Sequence, residues 1–233
     1  MFFGCQNINK AYPNSTFKLI NISFEADKGD IIGLIGENGS GKTTLMNALS
    51  NIYPRDSGYV YYKDGEADDD FYRNRLGYLT DQFNLYEYLT IQENIDFVAK
   101  VRRLDIKEIE IGDLLENFNL LEYRFTEVKN LSKGMRQKFN FIINILHKPQ
   151  VLLLDEPFDG LDPQQIRKME EVILKLASEG VCILLSSHIL DFIDKLCNKV
   201  IYIKEGVLSL YIDNLNNITK ENLEQLFYET KDI

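Results

Sequence analysis

The stretch from Gly36 to Thr44, GENGSGKTT, places glycines ahead of a lysine and a threonine in the spacing G-x-x-x-x-G-K-[ST]. Glycines let the backbone curl until successive N–H groups converge on phosphate oxygens, and a helix N-terminus behind them adds its dipole. Lys42 then reaches the β- and γ-phosphates of a nucleotide, and Thr43 offers a hydroxyl to Mg²⁺. A glycine-rich turn with no ligand would not require Lys42 and Thr43 in those places. Gly36, Glu37, Asn38, Gly39, Ser40, Gly41, Lys42, Thr43 and Thr44 are therefore candidate nucleotide-binding residues.

Asp155 and Glu156 end the apolar run VLLLDEP. In a parallel α/β sheet, ligands sit at the carboxyl ends of the strands, so Asp155 is expected to face the same Mg²⁺. Glu156 points elsewhere and can order or deprotonate an attacking water, a role typically worth about 10²–10⁴-fold in rate. His188 closes the next apolar run, in SSH, and from a neighbouring strand end it is expected to donate to a third phosphate. Each is commonplace alone; the upstream phosphate loop gives them weight.

A second helix start lies in LSKGMRQKF, Leu131 to Phe139, with Ser132 at an N-cap-like position and Gly134 close behind. Free N–H groups and a serine hydroxyl suit an anion there too. Tyr12, in AYPNS, either packs or stacks on an adenine ring, a contact worth about 1–3 kcal/mol; the residues alone leave both open. Asp68, Asp69 and Asp70 read as a solvated loop, since three adjacent carboxylates cannot all face one ion.

Positioning these groups takes a sheet with loops gathered at one edge. FEADKGDIIGLIG predicts a turn at Lys28–Gly29 and a strand over Ile31–Ile35 buried on both faces, followed by the helix TTLMNALS. SGYVYYKDG, ending in Asp64–Gly65, and the stretches near 2–8 and 17–25 predict an antiparallel patch. Helical spacing dominates from Thr90 to His147. Strand character returns at VLLLDEP and VCILLSSH, around a helix whose apolar positions are Ile166, Met169, Ile173 and Leu176. KVIYIKEGVLSLYI closes with a strand pair, and NLEQLFYETK is a short amphipathic helix. The expected fold is α/β: a mostly parallel core sheet, an N-terminal antiparallel β subdomain and an inserted helical subdomain at about 86–149. One domain would span 1–210, with a short helical tail over 211–233.

At 233 residues and 45% hydrophobic content the chain can bury one large core. A net charge of −10 argues against a protein built to hold nucleic acid. Cys5, Cys182 and Cys197 have no metal-ligand spacing, and Cys182, in VCILLSS, reads as a buried reduced thiol. MFFGCQNINK lacks the pattern of a signal peptide, and no apolar run approaches the roughly 18 residues of a membrane span. The expectation is a cytoplasmic protein that reaches a membrane only through a partner.

Taken together, GENGSGKTT, GYLTDQFNLYEYLTIQEN, LSKGM, VLLLDEP and SSH resemble, in kind and order, the motifs of the nucleotide-binding subunit of an ATP-binding cassette (ABC) transporter. That family belongs to the P-loop NTPases, and the resemblance spans almost the whole chain. LSKGM corresponds to the family signature, usually LSGGQ, in a form similar to that of drug- and peptide-exporter ATPases. In the family two subunits pair head to tail, and each signature caps the ATP on its partner's P-loop. This would explain two phosphate-binding helix starts in one chain: Ser132 and Gly134 would serve the partner's nucleotide. The resemblance also implies that Tyr12 stacks on adenine, that Glu156 is the hydrolytic base, that Asp159 to Asp162 (DGLD) cross the dimer interface, and that His188 is the switch histidine. One position departs. Aligning LY and LT puts Asp81, not Gln82, where the Mg²⁺-contacting glutamine of the Q-loop is expected. Either Asp81 takes that role, as a metal ligand, or Gln82 substitutes from one place along.

The resemblance implies an ATPase that uses ATP and Mg²⁺, pairs with a second nucleotide-binding subunit and drives a transmembrane permease subunit, peripheral to the inner face of the cell membrane. A lone P-loop kinase or GTPase is disfavoured by LSKGM and by the lack of N-K-x-D, since NKAY and NKVI have no aspartate. DNA-repair members carry long heptad coiled coils and ribosome-bound members two cassettes; this chain shows neither. Intact Lys42, Ser132, Asp155, Glu156 and His188 argue against a catalytically dead subunit. Export is favoured over import because NLEQLFYETK resembles the ending of small exporter ATPases and little chain follows the last strands.

Overall fold

A computed structural model of the protein describes residues 1–13, 15–63, 65–80, 85–104 and 111–215. Asp81, Gln82, Asp64 and the expected tail helix over 222–231 lie outside the described residues. The strands are β1 (Phe3–Ala11), β2 (Lys18–Ala26), β3 (Ile31–Ile35), β4 (Ser57–Tyr62), β5 (Gly65–Glu66), β6 (Leu76–Leu79), β7 (Val151–Leu154), β8 (Cys182–Ser186), β9 (Lys199–Lys204) and β10 (Val207–Ile212). They form one sheet in the order β5-β4-β1-β2-β10-β9-β3-β8-β7-β6. From β9 to β6 every pairing is parallel, and β1, β2, β4 and β5 pair antiparallel. The antiparallel patch is joined to the parallel core through the Ile20–Val207 bridge between β2 and β10.

The apolar runs are continuous because both faces of the core strands are covered. In β3, Ile31 and Ile35 enter one core and Ile32 and Leu34 the other; β7 and β8 split in the same way. One core gathers helices α2 (Ile91–Arg102), α3 (Ile111–Asn117), α4 (Lys133–Ile145), α5 (Pro163–Ser178) and α6 (Leu190–Leu196). The other is filled by α1 (Lys42–Leu49) and the antiparallel strands. Helix α2 starts at a capping box: Thr90 Oγ1 accepts from the Glu93 N–H at 3.1 Å, and Glu93 Oε2 accepts from the Thr90 N–H at 2.8 Å. All three cysteines are free and buried, and burial pushes the Cys5 thiol up to about 12.

β10 runs to Ile212, across the boundary expected at residue 210. Strand β6 and helix α6, which sequence patterning did not anticipate, complete the sheet edge and its cover. Asp68 to Asp70 are exposed, but Asp69 and Asp70 are helical and run into the turn Phe71–Arg75 instead of lying in a loop, and Asp68 Oδ1 accepts from the Phe71 N–H at 2.9 Å.

Candidate functional site

Residues 36–41 link the end of β3 to α1, which places the loop at the carboxyl edge of the parallel strands. Gly41 has φ +114°, and a Cβ there would stand 2.6 Å from the Phe17 ring. Only glycine lets the chain turn into α1 so close to that aromatic. The turn between β9 and β10 braces the loop, because the Gly206 N–H donates to Ser40 O at 2.9 Å. Lys42 is buried and folds back over the loop, donating to Gly36 O at 2.8 Å and Glu37 O at 3.1 Å. Burial lowers its pKa, while the Glu156 and Asp155 carboxylates act to hold its charge.

The two acidic residues take different partners. Asp155 is 2% exposed, and its Oδ2 accepts from Thr43 Oγ1 at 2.7 Å. A threonine hydroxyl and a carboxylate meeting at one point are hard oxygen donors of the kind Mg²⁺ takes, so the residues present fit that ion. Glu156 turns away on a left-handed backbone, φ 45°, and its Oε2 lies 3.1 Å from His188 Nδ1. Three strand ends, β3, β7 and β8, thus bring Lys42, Thr43, Asp155, Glu156 and His188 together.

The resulting cleft, about 400 Å³, is lined by Tyr12, Phe17, Gly41, Thr43, Asp155 and Glu156 among others. Tyr12 rests edge-on against Tyr53, ring centroids 6.1 Å apart, with the Lys10 ammonium 5.5 Å from its ring. Phe17 was not anticipated from sequence; a lone aromatic just before a strand gives little signal. Grooves of about 1140 and 760 Å³ lie elsewhere, and neither contains the phosphate loop, so chemistry rather than size marks the site.

Ser132 and Gly134 do not line this cleft. Ser132 N-caps α4 and its Oγ accepts from the Met135 N–H at 3.2 Å, which leaves its O–H free to donate outward. Gly134 sits where a Cβ would be 2.9 Å from Gly160 O. The signature and the DGLD loop are thus packed together within one chain, and Lys133 Nζ pairs with Asp159 Oδ2 at 2.6 Å. Both partners are well exposed, so the pair contributes at most about 1 kcal/mol. Asp81 and Gln82 lie outside the described residues; Leu79, the last residue of β6, accepts at its O from the Asp155 N–H at 2.9 Å.

The ABC transporter family profile matches residues 19–159. The lantibiotic transport ATP-binding protein SrtF of Streptococcus pyogenes is 34% identical over 222 residues, covering 95% of this chain and 94% of that protein. A solved ATP-binding subunit of an ABC transporter superposes with a TM-score of 0.90 at 27% identity, over 99% of this chain and 100% of that one. A dimeric ATP-binding cassette in a post-hydrolysis state with ADP and Pi gives a TM-score of 0.80 at 23% identity, over 93% and 100% of the two chains, a likeness of fold.

Proposed function

Because this chain belongs to the ABC transporter family as an ATP-hydrolysing, ATP-binding subunit, we propose that it powers an exporter through ATP-driven, head-to-tail closure of two such subunits. The observation that carries this reading is the split of the phosphate-binding groups. Lys42, Thr43, Asp155 and Glu156 line one cleft and His188 meets Glu156 beside it, while Ser132 and Gly134, equally suited to an anion, stand outside it. A second copy turned head to tail would supply them.

In this mechanism ATP enters with its base against Tyr12 and its phosphates on the N–H groups of residues 36–44. Lys42 exchanges its contacts with Gly36 O and Glu37 O for phosphate oxygens. Thr43 and Asp155 would hold Mg²⁺, which would supply charge neutralisation on the phosphates. The Glu156 carboxylate takes a proton from water as the water oxygen bonds to the γ-phosphorus and the bond to the bridging oxygen breaks. His188 holds Glu156 Oε2 and donates toward the γ-phosphate. Partner Ser132 and Gly134 close the site, and reopening follows phosphate release.

The membrane subunit would dock over the helical block, where Tyr86, Tyr88 and Phe125 are exposed. No helix among the described residues is long and apolar enough to cross a membrane. As the ATP-binding subunit of such an exporter, the chain would sit on the cytoplasmic face through that permease. The name of SrtF, a lantibiotic transport ATP-binding protein, supports a lantibiotic-like cargo. Everted vesicles holding this chain and its permease test the direction. ATP added outside should drive a labelled lantibiotic into them, and the Lys42→Ala chain should not. Uptake confined to right-side-out vesicles loaded with ATP would show an importer.

In the Q-loop, Asp81 is proposed as the residue that approaches Mg²⁺ once ATP is bound. Asp81→Ala should lower turnover in a way that added Mg²⁺ partly restores, and Gln82→Ala should change it little. A Mg²⁺-dependent defect in Gln82→Ala alone would move the role one residue along.

A further inference from the structure

The general-base reading of Glu156 requires that its carboxylate be aimed, and the backbone that aims it is in the left-handed region that residues with a Cβ avoid (φ 45°). Something must hold it there. Ser186, the last residue of β8, is fully buried. Its Oγ donates to Asp155 Oδ1 at 2.6 Å and accepts from the Glu156 N–H at 2.9 Å. A hydroxyl is the smallest side-chain group that donates and accepts at once, and here it spends both capacities on two consecutive site residues. On the carbonyl side of the same residue, Glu156 O accepts from Gln137 Nε2 at 3.2 Å and from the Asp159 N–H at 3.2 Å. The neighbouring Ser187 does nothing of the kind, since its Oγ accepts from the Ile189 N–H at 3.0 Å.

We infer that Ser186 is a positioning residue for hydrolysis, acting through Glu156 and Asp155 by holding the kinked backbone of the first and one carboxylate oxygen of the second. This rests on Glu156 being the base. Without the hydroxyl, the Glu156 N–H and Asp155 Oδ1 would both lose their partner in a buried setting. The backbone could then relax toward an ordinary φ, swinging Glu156 Oε2 away from His188 and the water it serves. ATP contacts at Lys42 and Tyr12 would be untouched.

The test measures single-turnover hydrolysis and, separately, equilibrium binding of a fluorescent ATP analogue without Mg²⁺. Ser186→Ala should slow hydrolysis by about 10–100-fold, the range found when outer-shell partners of active-site groups are removed, while affinity stays within about threefold. Ser186→Thr, which keeps the hydroxyl, should recover most of the rate. Added to Glu156→Gln, the alanine change should cost little more, because two changes acting through one group are not additive. If Ser186→Ala does not fold, Ser186→Cys, near in shape and a poor donor, replaces it with the same expected loss. A parental rate in Ser186→Ala, an equally slow Ser186→Thr that still binds ATP, or full additivity with Glu156→Gln would overturn the inference. A parental rate in Glu156→Gln would instead overturn the base reading itself.

Discussion

Glu156→Gln will bind ATP at least as well as the parent and hydrolyse it some 10²–10⁴-fold more slowly, the range a positioned base supplies. The amide keeps the shape of the side chain and can still meet His188 Nδ1, which lies 3.1 Å from Oε2 in the parent. It has no lone pair basic enough to take a proton from water. Removing one negative charge from beside the γ-phosphate also removes repulsion toward bound ATP. Lys42 loses one of the two carboxylates that hold its charge against burial, but Asp155 remains and stays anchored through Thr43 and Ser186. The phosphate cradle therefore survives. With hydrolysis blocked, ATP bridging two subunits should hold them together, and size-exclusion chromatography with ATP and Mg²⁺ should show a monomer-to-dimer shift absent with ADP. Turnover at the parental rate would show that another group is the base.

The elements legible in the sequence were those whose local signals agree with their tertiary surroundings. β3, β7 and β8 are unbroken apolar runs because both of their faces are covered, and the reactive groups stand just beyond their carboxyl ends. The start of α4 could be read from Ser132, whose cap is a local interaction within three residues. β6 could not. It has four residues, no flanking turn signal and an internal glycine, and Gly77 is needed because a Cβ there would stand 2.5 Å from Asn144 O, a residue distant in sequence. The site divides in the same way. Lys42, Thr43, Asp155 and Glu156 stand in motifs whose spacing is set by a single turn. Ser186 and Gln137 reach Glu156 across 30 and 19 residues of separation, through strand pairing and helix docking that no short pattern encodes. Whether Asp81 or Gln82 serves the Q-loop is a question of register, which composition cannot decide.

The second large effect is a rescue. Lys42→Ala removes the cation that spans the loop carbonyls and the phosphates, and Ser132→Arg fills the partner's phosphate position with a bulky charged side chain. Each chain alone should be inactive, because a symmetric pair carries its defect at both composite sites. Ser132 is exposed, so arginine is tolerated by the fold; the lost cap costs about 1 kcal/mol. When the two chains are mixed, one composite site combines the intact P-loop of the Ser132→Arg chain with the intact signature of the Lys42→Ala chain. The other site holds both defects. Random pairing makes half of the dimers mixed, each with one good site of two, so activity should return to roughly a quarter of the parental value if the sites act independently. Differently tagged chains, isolated by sequential affinity steps, give the mixed dimer alone and should raise that toward one half. If tagged mixed dimers form with ATP and stay inactive, then either the signature does not serve its partner's nucleotide or one good site cannot turn over beside a broken one. Trapping labelled ADP directly with vanadate, which needs no turnover, separates the two: a single trapped nucleotide in the mixed dimer means the composite site is assembled, and none means that head-to-tail sharing is wrong.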